Sequence, residues 1–260
     1  MQLASLIRND SDNPHAPTVV LLHGVFGRAR NLGLLQRTLS HHFNTIALDL
    51  RSHGHSPHEP LTYPEMARDV LETLDHLSIQ SASLIGHSMG GKVAMMTSLL
   101  APERVQRLIV ADIAPAPMHH GQNTLAQALL RSLPLPALHN RKDIHDFLMP
   151  LTGNPAISDL LGQNITPGDP AHWTIGLTEI ANSFATIEGW PEMPPNAQWS
   201  GEALFLRGEH SPYVQPHHRE LIHHFFPHAT IQTIPETGHW LHVEKPKEFA
   251  EAALSFLMHS

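Results

Sequence analysis

The chain has 260 residues, of which 41% are hydrophobic, and it carries a formal net charge of −8 with 16 lysines and arginines and no cysteine. This length can bury the core of one large α/β domain, whereas so few basic residues argue against a nucleic-acid partner. The lack of cysteine excludes disulfides, thiolate catalysis and cysteine metal sites. The sequence shows neither a secretory leader nor a membrane-spanning apolar run, so we expect a cytoplasmic protein that acts on small molecules, with its oligomeric state left open.

Short apolar strands alternate with helices through the first 112 residues. The predicted strands are 18–22, 44–48, 83–85 and 107–111, and the predicted helices are 32–41, 63–77 and 93–100. This alternation predicts a parallel sheet whose catalytic groups lie at the carboxyl ends of the strands.

The pattern changes between residues 113 and 201, where eleven prolines separate helical pieces at 124–133, 143–151 and 172–183. So long a segment between two strands is typical of a lid or a binding wall. Strands resume at 203–206 and 230–234, with helices at 216–225 and 246–258. We therefore predict a core formed by residues 1–112 and 202–260, with a helical cap formed by 113–201.

The motif Gly86-His87-Ser88-Met89-Gly90 lies where a predicted strand runs into a predicted helix. A sharp strand-to-helix turn needs glycines around its apex, because larger side chains would prevent strand and helix from packing closely. The context predicts a nucleophile elbow with Ser88 exposed at its tip.

A serine hydroxyl needs a base to take its proton, and the base needs an acid to orient it. His239 is the best base, because it follows the last predicted strand and comes late in the chain. Backbone N–H groups must also stabilise the oxyanion that develops on the substrate. We expect one from Met89 and the other from Val25 or, as the alternative, Phe26.

Four segments together resemble the α/β-hydrolase superfamily and, within it, bacterial YbfF-type esterases. They are His23-Gly24-Val25-Phe26-Gly27, Asp49-Leu50-Arg51-Ser52-His53-Gly54-His55-Ser56, Gly86-His87-Ser88-Met89-Gly90-Gly91-Lys92 and Gly238-His239-Trp240-Leu241-His242-Val243-Glu244-Lys245-Pro246. The resemblance implies an α/β fold with a mostly parallel eight-stranded sheet and a helical cap between strands six and seven. It also implies hydrolysis of carboxylic esters or thioesters without a cofactor.

The acid is where the sequence departs from the commoner pattern. Most relatives place an aspartate where this chain has Ser211, and a serine cannot supply an anionic acceptor. Asp112 follows the strand next to the predicted nucleophile strand, and the YbfF-type resemblance includes an aspartate there. We favour Asp112 as the acid and keep Glu209 as the alternative.

Several other side chains suggest roles around this centre. His87 and Trp240 are expected to line the substrate pocket, with Phe26, Phe147, Leu148 and Trp173 as further candidates. Arg28 and Arg30 could attract an anionic leaving group such as the phosphates of coenzyme A, or could be ordinary surface residues. Lys92 is expected to meet solvent. The doublets His41-His42, His119-His120, His217-His218 and His223-His224 do not have metal-ligand spacing, so no metal site is predicted.

The sequence thus predicts a serine hydrolase of esters or acyl thioesters that forms an acyl-enzyme, with acyl-coenzyme A as one candidate substrate. Rival activities on the same scaffold are a carbon–carbon bond hydrolase, an aminopeptidase and a cofactor-free perhydrolase. A hydrolase-like receptor with slow turnover is the alternative from outside the enzymes.

Overall fold

The computed structural model describes residues 1–13, 15–118 and 122–258, with only the backbone of residue 122. Within these residues the main sheet has seven strands, in the order β1-β3-β2-β4-β5-β6-β7. The strands are β1 (Ser5–Arg8), β2 (Thr18–Leu22), β3 (Asn44–Leu48), β4 (Ala82–His87), β5 (Val105–Ala111), β6 (Ala203–Gly208) and β7 (Ala229–Ile234). β1 pairs antiparallel with β3, and every other pairing in this sheet is parallel.

The expected eight-stranded sheet is corrected to seven strands among the described residues. Among the described residues before β2 there is one strand, β1, which lies at the edge of the sheet beside β3. The long insertion therefore falls between the fifth and sixth strands in chain order. The mostly parallel α/β-hydrolase architecture is confirmed.

Apolar side chains cover both faces of the sheet, as expected for central parallel strands. Val20 and Leu22 of β2 point into one hydrophobic cluster, while Val19 and Leu21 point into a second cluster on the opposite face. Helices α2 (Tyr63–His76) and α3 (Met89–Leu100) pack on the first face. Helices α1 (Gly33–Leu39) and α11 (Pro246–Met258) cover the second face. Helix α9 (Arg219–Phe225) lies between β6 and β7 in the chain, and α10 (Leu241–Glu244) follows β7.

We call residues 113–201 the inserted segment. Its helices within the described residues are α4 (Gln122–Arg131), α5 (Arg141–Thr152), α6 (Pro155–Gly162), α7 (Leu177–Asn182) and α8 (Phe184–Glu188). The predicted helix at 172–183 is wrong at its start, because His172–Trp173 pairs antiparallel with Ile165–Thr166.

The sequence reasoning also missed α6. Its start carries a recognisable signal, since the side chain of Asn154 accepts hydrogen bonds from the N–H groups of Ala156 (2.9 Å) and Ile157 (3.2 Å). Pro155 occupies the first turn, where proline is favoured because its missing N–H needs no partner. A proline in the first turn of a helix is easily taken for a break between helices, which is why the sequence pattern does not indicate α6.

The carboxyl ends of the parallel strands meet at one edge of the sheet. The loops that follow β2, β4, β5, β6 and β7 carry Val25, Ser88, Asp112, Ser211 and His239. Among the described residues, no helix has both the length and the apolar character needed to cross a membrane.

Candidate active site

The turn between β4 and α3 holds Ser88 in an unusual backbone conformation. Its φ is 53° and its ψ is −119°, a combination that L-residues rarely adopt. The turn needs glycines nearby: a Cβ on Gly86 would lie 2.1 Å from the carbonyl oxygen of Gly90, and one on Gly90 would lie 2.4 Å from that of Leu22. The glycine spacing therefore allows strand, turn and helix to pack without a gap.

Ser88, His239 and Asp112 form a continuous hydrogen-bonded chain. The Ser88 hydroxyl lies 3.1 Å from Nε2 of His239, and Nδ1 of His239 lies 2.7 Å from Oδ2 of Asp112. Because a carboxylate only accepts, Nδ1–H donates to Asp112 and Nε2 faces the serine as an acceptor. Ser88 is only 9% exposed, so it opens into a cavity and not onto the surface as the sequence suggested.

Asp112 is fully buried at the end of β5 and is held by three hydrogen bonds. Its Oδ1 accepts from the N–H of Gly208 at 2.9 Å, while its Oδ2 accepts from both Ser211 Oγ and His239 Nδ1. A buried carboxylate is tolerated only when its oxygens are satisfied in this way. The serine that replaces the commoner aspartate thus donates to the carboxylate beside the histidine, a contact that sequence reasoning missed.

The alternative acid, Glu209, lies elsewhere. Its side chain is exposed, and Oε2 accepts a hydrogen bond from the N–H of Glu236 at 2.8 Å. Nδ1 of His239 is already bonded to Asp112. The structure therefore brings Asp112, and not Glu209, to the imidazole.

Tyr213 forms one wall around the imidazole. Its ring stacks on that of His239 with centroids 3.8 Å apart and an interplanar angle of 18°. Burial, followed by the charges of Asp112 and Glu188, raises the pKa of Tyr213 to about 12. The Tyr213 phenol is therefore neutral, and its stacked ring restrains the orientation of the His239 imidazole. The sequence carried no signal for this contact.

Two backbone N–H groups beside Ser88 have no hydrogen-bond partner among the described residues, those of Val25 and Met89. Met89 is the first residue of α3, where N–H groups have no intrahelical partner. Phe26 differs, because its N–H donates to Nε2 of His53 at 3.1 Å. Of the two candidates in this loop, Val25 has the available donor.

Two buried histidines hold the loops that flank the site. Nε2 of His23 accepts from the N–H of Leu50 at 3.0 Å, and Nε2 of His53 accepts from that of Phe26. An accepting nitrogen must be unprotonated, so both rings are neutral. Burial lowers the pKa of His23 to about 4 and that of His53 to about 3.

His87 and His242 complete a cluster of rings behind His239. Nε2 of His87 donates to the carbonyl oxygen of His239 at 2.8 Å, and the ring of His242 lies 4.3 Å from that of His87. Burial, and then the neighbouring histidines, hold the pKa of His87 well below its usual range and lower that of His242 to about 4. His242 could have been noticed in the sequence, because it follows His239 at helical spacing.

A cavity of about 170 Å³, the Ser88 cavity, opens in front of Ser88 and His239. Three of the candidate pocket residues, Phe26, His87 and Trp240, line it, and the inserted segment contributes Leu125, Ile157 and Leu160. The other pocket candidates do not line this cavity: Phe147, Leu148 and Trp173 pack in or against the hydrophobic core. An apolar side chain in a helix fills a core as readily as a pocket, so the sequence could not separate these roles.

Lys92 is buried, with 1% of its surface exposed, which contradicts the expected solvent-facing position. Its Nζ donates to the carbonyl oxygens of Glu188 (3.1 Å) and Gly189 (2.6 Å) at the end of α8. Burial lowers its pKa to about 7, although the charge of Glu188 acts in the opposite direction. The inserted segment covers this face of α3, so Lys92 is buried by a part of the chain that is distant in sequence.

A groove of about 750 Å³ runs beside the Ser88 cavity and is lined by Arg28, Arg30 and Arg141. The Nε of Arg28 is buried and has no hydrogen-bond partner in the described part of the chain. No group of three histidine, aspartate or glutamate side chains among residues 1–13, 15–118 and 122–258 has the geometry to hold a metal ion. His119 and His120 lie outside the described residues.

Comparison of the sequence with known proteins identifies the family of this chain. The model of the alpha/beta hydrolase family matches residues 19–252, which include every element of the site. The chain belongs to the alpha/beta hydrolase family.

Relatives of this hydrolase cover most of its length. It is 34% identical to "Esterase YbfF" of Escherichia coli K12, over 92% of each chain. It is 36% identical to "sn-1-specific diacylglycerol lipase ABHD11" of Mus musculus, over 93% of this chain and 81% of that protein. A solved structure titled "Marine microorganism esterase" matches with a TM-score of 0.92 and 31% identity, over 98% of this hydrolase and 99% of that chain.

Proposed function

We propose that this protein is a serine hydrolase that cleaves carboxylic esters through an acyl-enzyme on Ser88, with His239 as base and Asp112 as the orienting acid. The observation that carries the proposal is the chain from the Ser88 hydroxyl to Nε2 of His239 (3.1 Å) and from Nδ1 to Asp112 (2.7 Å). Relatives of similar length named as an esterase and a diacylglycerol lipase support the ester class.

Each proton has a place in this arrangement. Nε2 of His239 takes the hydroxyl proton as Ser88 Oγ attacks the carbonyl carbon, and the imidazolium then gives that proton to the departing alkoxide. Water, deprotonated by the same nitrogen, attacks the acyl-enzyme, and the imidazolium returns the proton to Ser88 Oγ as the bond to the acyl group breaks and the acid leaves. Asp112 keeps Nδ1 protonated throughout and stabilises the imidazolium.

The oxyanion is stabilised by the N–H groups of Val25 and Met89. Both flank Ser88 and lack partners among the described residues, whereas the N–H of Phe26 is occupied by His53. Donors aimed at the developing charge are worth about 3–4 kcal/mol each in transition-state stabilisation.

The inserted segment serves as the cap of the site. Leu125 of α4 and Ile157 and Leu160 of α6 line the Ser88 cavity opposite the loop after β2. Asn31, which follows that loop, donates from Nδ2 to Oε1 of Gln163 at 2.8 Å and so joins core and cap at the rim of the cavity. Apolar walls of this kind exclude water and favour an apolar portion of the substrate.

Acyl thioesters with a phosphorylated leaving group are a second candidate substrate class, which the arginine groove favours. Gly27 and Asn31 line the Ser88 cavity while Arg28 and Arg30, on the same stretch of chain, line the groove. A leaving group that emerges from the cavity therefore passes the three arginines, whose guanidinium groups suit phosphate. We expect Arg28→Glu/Arg30→Glu to raise KM for acyl-coenzyme A at low salt and to leave KM for simple alkyl esters unchanged.

The central proposal is tested by labelling with a fluorophosphonate and mapping the modified residue. We expect one adduct, on Ser88, steady hydrolysis of short alkyl esters, and loss of both in Ser88→Ala. Because Ser98 is also buried in α3 but makes only a hydrogen bond to Met95, Ser98→Ala is the matched control and should keep the label. Labelling at another serine, or one turnover followed by a stable complex, would contradict the proposed enzyme.

A further inference from the structure

A second, smaller cavity lies on the other side of Ser88. This Lys92 cavity has a volume of about 30 Å³, and its walls include Val25, Ser88 and Met89 at one end and Lys92 with Tyr63 at the other. Val25 and Ser88 line both cavities, so the two spaces meet at the nucleophile and the oxyanion donors.

The position of His239 assigns the two cavities to the two halves of a substrate. The leaving group must face His239, because that imidazole returns a proton to it. His239 lines the Ser88 cavity and does not line the Lys92 cavity. The acyl group, on the opposite side of the carbonyl carbon, therefore points towards Lys92.

Lys92 offers a hydrogen-bond donor at the end of this acyl path. Two of its three N–H bonds go to the carbonyl oxygens of Glu188 and Gly189, which leaves the third for an acceptor in the cavity. Burying an ammonium group is costly, and a methionine of similar shape would fill the same space without that cost. Burial also lowers the pKa of Lys92 to about 7, and an acceptor in the cavity would favour its charged form.

Geometry limits the length of the acyl group. Ser88 caps α3 and Lys92 follows one helical turn later, where its N–H donates to the carbonyl oxygen of Ser88 at 3.1 Å, so the two residues are close neighbours. The cavity has room for about two water molecules, which corresponds to a few non-hydrogen atoms beyond the carbonyl carbon. A long acyl chain would not fit without rearrangement of the walls.

We propose that the Lys92 cavity is an acyl-binding subsite for short acyl groups that end in an oxygen acceptor, a keto or carboxylate oxygen, which receives a hydrogen bond from Lys92. The proposal rests on the proposed serine hydrolase and adds the class of acyl group to it. Tyr63 lines the same end of the cavity as Lys92, with its ring centroid 5.6 Å from Nζ and its hydroxyl donating to the carbonyl oxygen of Ile187 at 2.5 Å.

Three ethyl esters of matched shape test this subsite: ethyl 4-oxopentanoate, monoethyl succinate and ethyl 4-methylpentanoate. They present a keto oxygen, a carboxylate and an apolar branch at the same position. We expect wild-type kcat/KM to favour at least one oxygen-bearing ester over the apolar ester by roughly tenfold, as for one hydrogen bond to a charged group. Comparison of the keto ester with the succinate monoester shows which acceptor is preferred, because an acidic residue, Glu188, also lines the cavity.

The variant Lys92→Met should lower kcat/KM for the preferred oxygen-bearing ester more than kcat/KM for the apolar ester, and so abolish the preference. Thr97→Val is the matched control: Thr97 is fully buried in the same helix and its hydroxyl donates to the carbonyl oxygen of Val93 within that helix, so the preference should persist. An equal loss on all three esters in Lys92→Met, or an unchanged preference, would show that Lys92 is only a structural tie and overturn the proposal.

A binding measurement keeps the proposal testable without turnover. Calorimetry should show that wild type binds 4-oxopentanoate or succinate more tightly than 4-methylpentanoate, and that Lys92→Leu, a second variant without a donor in case Lys92→Met does not fold, removes the difference. Failure to hydrolyse any ester, with no label on Ser88, would refute the proposed function. Hydrolysis without discrimination, or equal binding of the acids, would refute the acyl subsite alone.

Discussion

Asp112 combines three features that rarely occur together in one residue. It is fully buried, it has a positive φ of 53°, and its carboxylate accepts three hydrogen bonds. A positive φ costs about 1–3 kcal/mol for a residue other than glycine, so the surrounding structure must hold it in place. Its N–H donates to the carbonyl oxygen of Leu206 at 2.8 Å, which ties the turn after β5 to β6.

Substitution of the two candidate acids separates their roles. We expect Asp112→Asn to lower kcat by about three orders of magnitude or more, because the amide removes the charge that stabilises the imidazolium. Glu209→Gln should stay within about twofold of wild type, since the Glu209 side chain is exposed and accepts its hydrogen bond from the N–H of Glu236, away from the imidazole. Steady-state ester hydrolysis measures both, and the reverse ranking would reassign the acid to Glu209.

The Ser211 contact predicts that the acid can be moved. Ser211 Oγ and His239 Nδ1 bond to the same oxygen, Oδ2 of Asp112. The side chain at position 211 therefore already reaches the point at which the carboxylate meets the imidazole. We expect Asp112→Asn/Ser211→Asp to recover roughly tenfold or more of the kcat lost in Asp112→Asn, because a carboxylate returns to that point.

The control for this transfer is Asp112→Asn/Ser211→Ala, which removes the hydroxyl without adding a charge and should recover nothing. Circular dichroism checks that each variant folds. A double variant that folds but is no more active than Asp112→Asn would show that a carboxylate at 211 cannot reach the imidazole.

At the scale of elements, the β4–α3 turn depends on contact between backbones. Gly86 meets Gly90 across the turn, and Gly90 packs on the end of β2 at Leu22. These contacts bring the first turn of α3 against the loop after β2, and thus the N–H of Met89 close to that of Val25. The glycines act through close approach of backbone atoms, since their own φ values are not positive.

Gly90→Ala is therefore expected to destabilise the protein by about 3 kcal/mol or more, because the new Cβ meets backbone atoms that cannot rotate away. Gly33→Ala in α1 is the matched control: no heavy atom lies within 4 Å of the added Cβ, and helix propensity predicts about 0.5–1 kcal/mol of added stability. Urea unfolding measures both. Equal stabilities for the two variants would refute the role given to close packing at the elbow.

At the scale of the whole molecule, acid sensitivity should follow from the buried histidines. Burial lowers the pKa of His23 from 6.5 to about 4 and that of His53 from 6.5 to about 3. Above pH 6.5 these rings are neutral in both folded and unfolded chains. Below it the unfolded chain takes up protons first, and so stability falls as pH decreases until the folded pKa values are reached.

We expect each of these two histidines to lower the free energy of unfolding by about 2 kcal/mol between pH 7.5 and pH 5. Urea unfolding at both pH values measures the difference. In His53→Asn the difference should shrink by about that amount, even if the variant is less stable at pH 7.5. The exposed pair His41→Gln/His42→Gln is the control and should leave the difference unchanged. An unaltered difference in His53→Asn would contradict this account.

Much of the fold could be predicted because its signals are local. The strands at 18–22 and 44–48 were predicted with the bounds that the structure shows, since each is a short apolar run between turn residues. β1 is not predicted because three of its four residues are exposed at the edge of the sheet, and its pattern Ser5–Arg8 lacks a continuous apolar run. The short α8 was missed because five residues show no helical period.

The sequence by itself determined the elbow around Ser88, the late histidine and the alternation that makes a parallel sheet, because each depends on neighbours within one strand, turn or helix. Only the tertiary structure decided which acid meets His239, which N–H beside Ser88 is available, and that Lys92 is buried. Those outcomes join residues 127, 27 and 96 positions apart. Contacts over such separations are set by how strands and the inserted segment pack together, which no local pattern encodes.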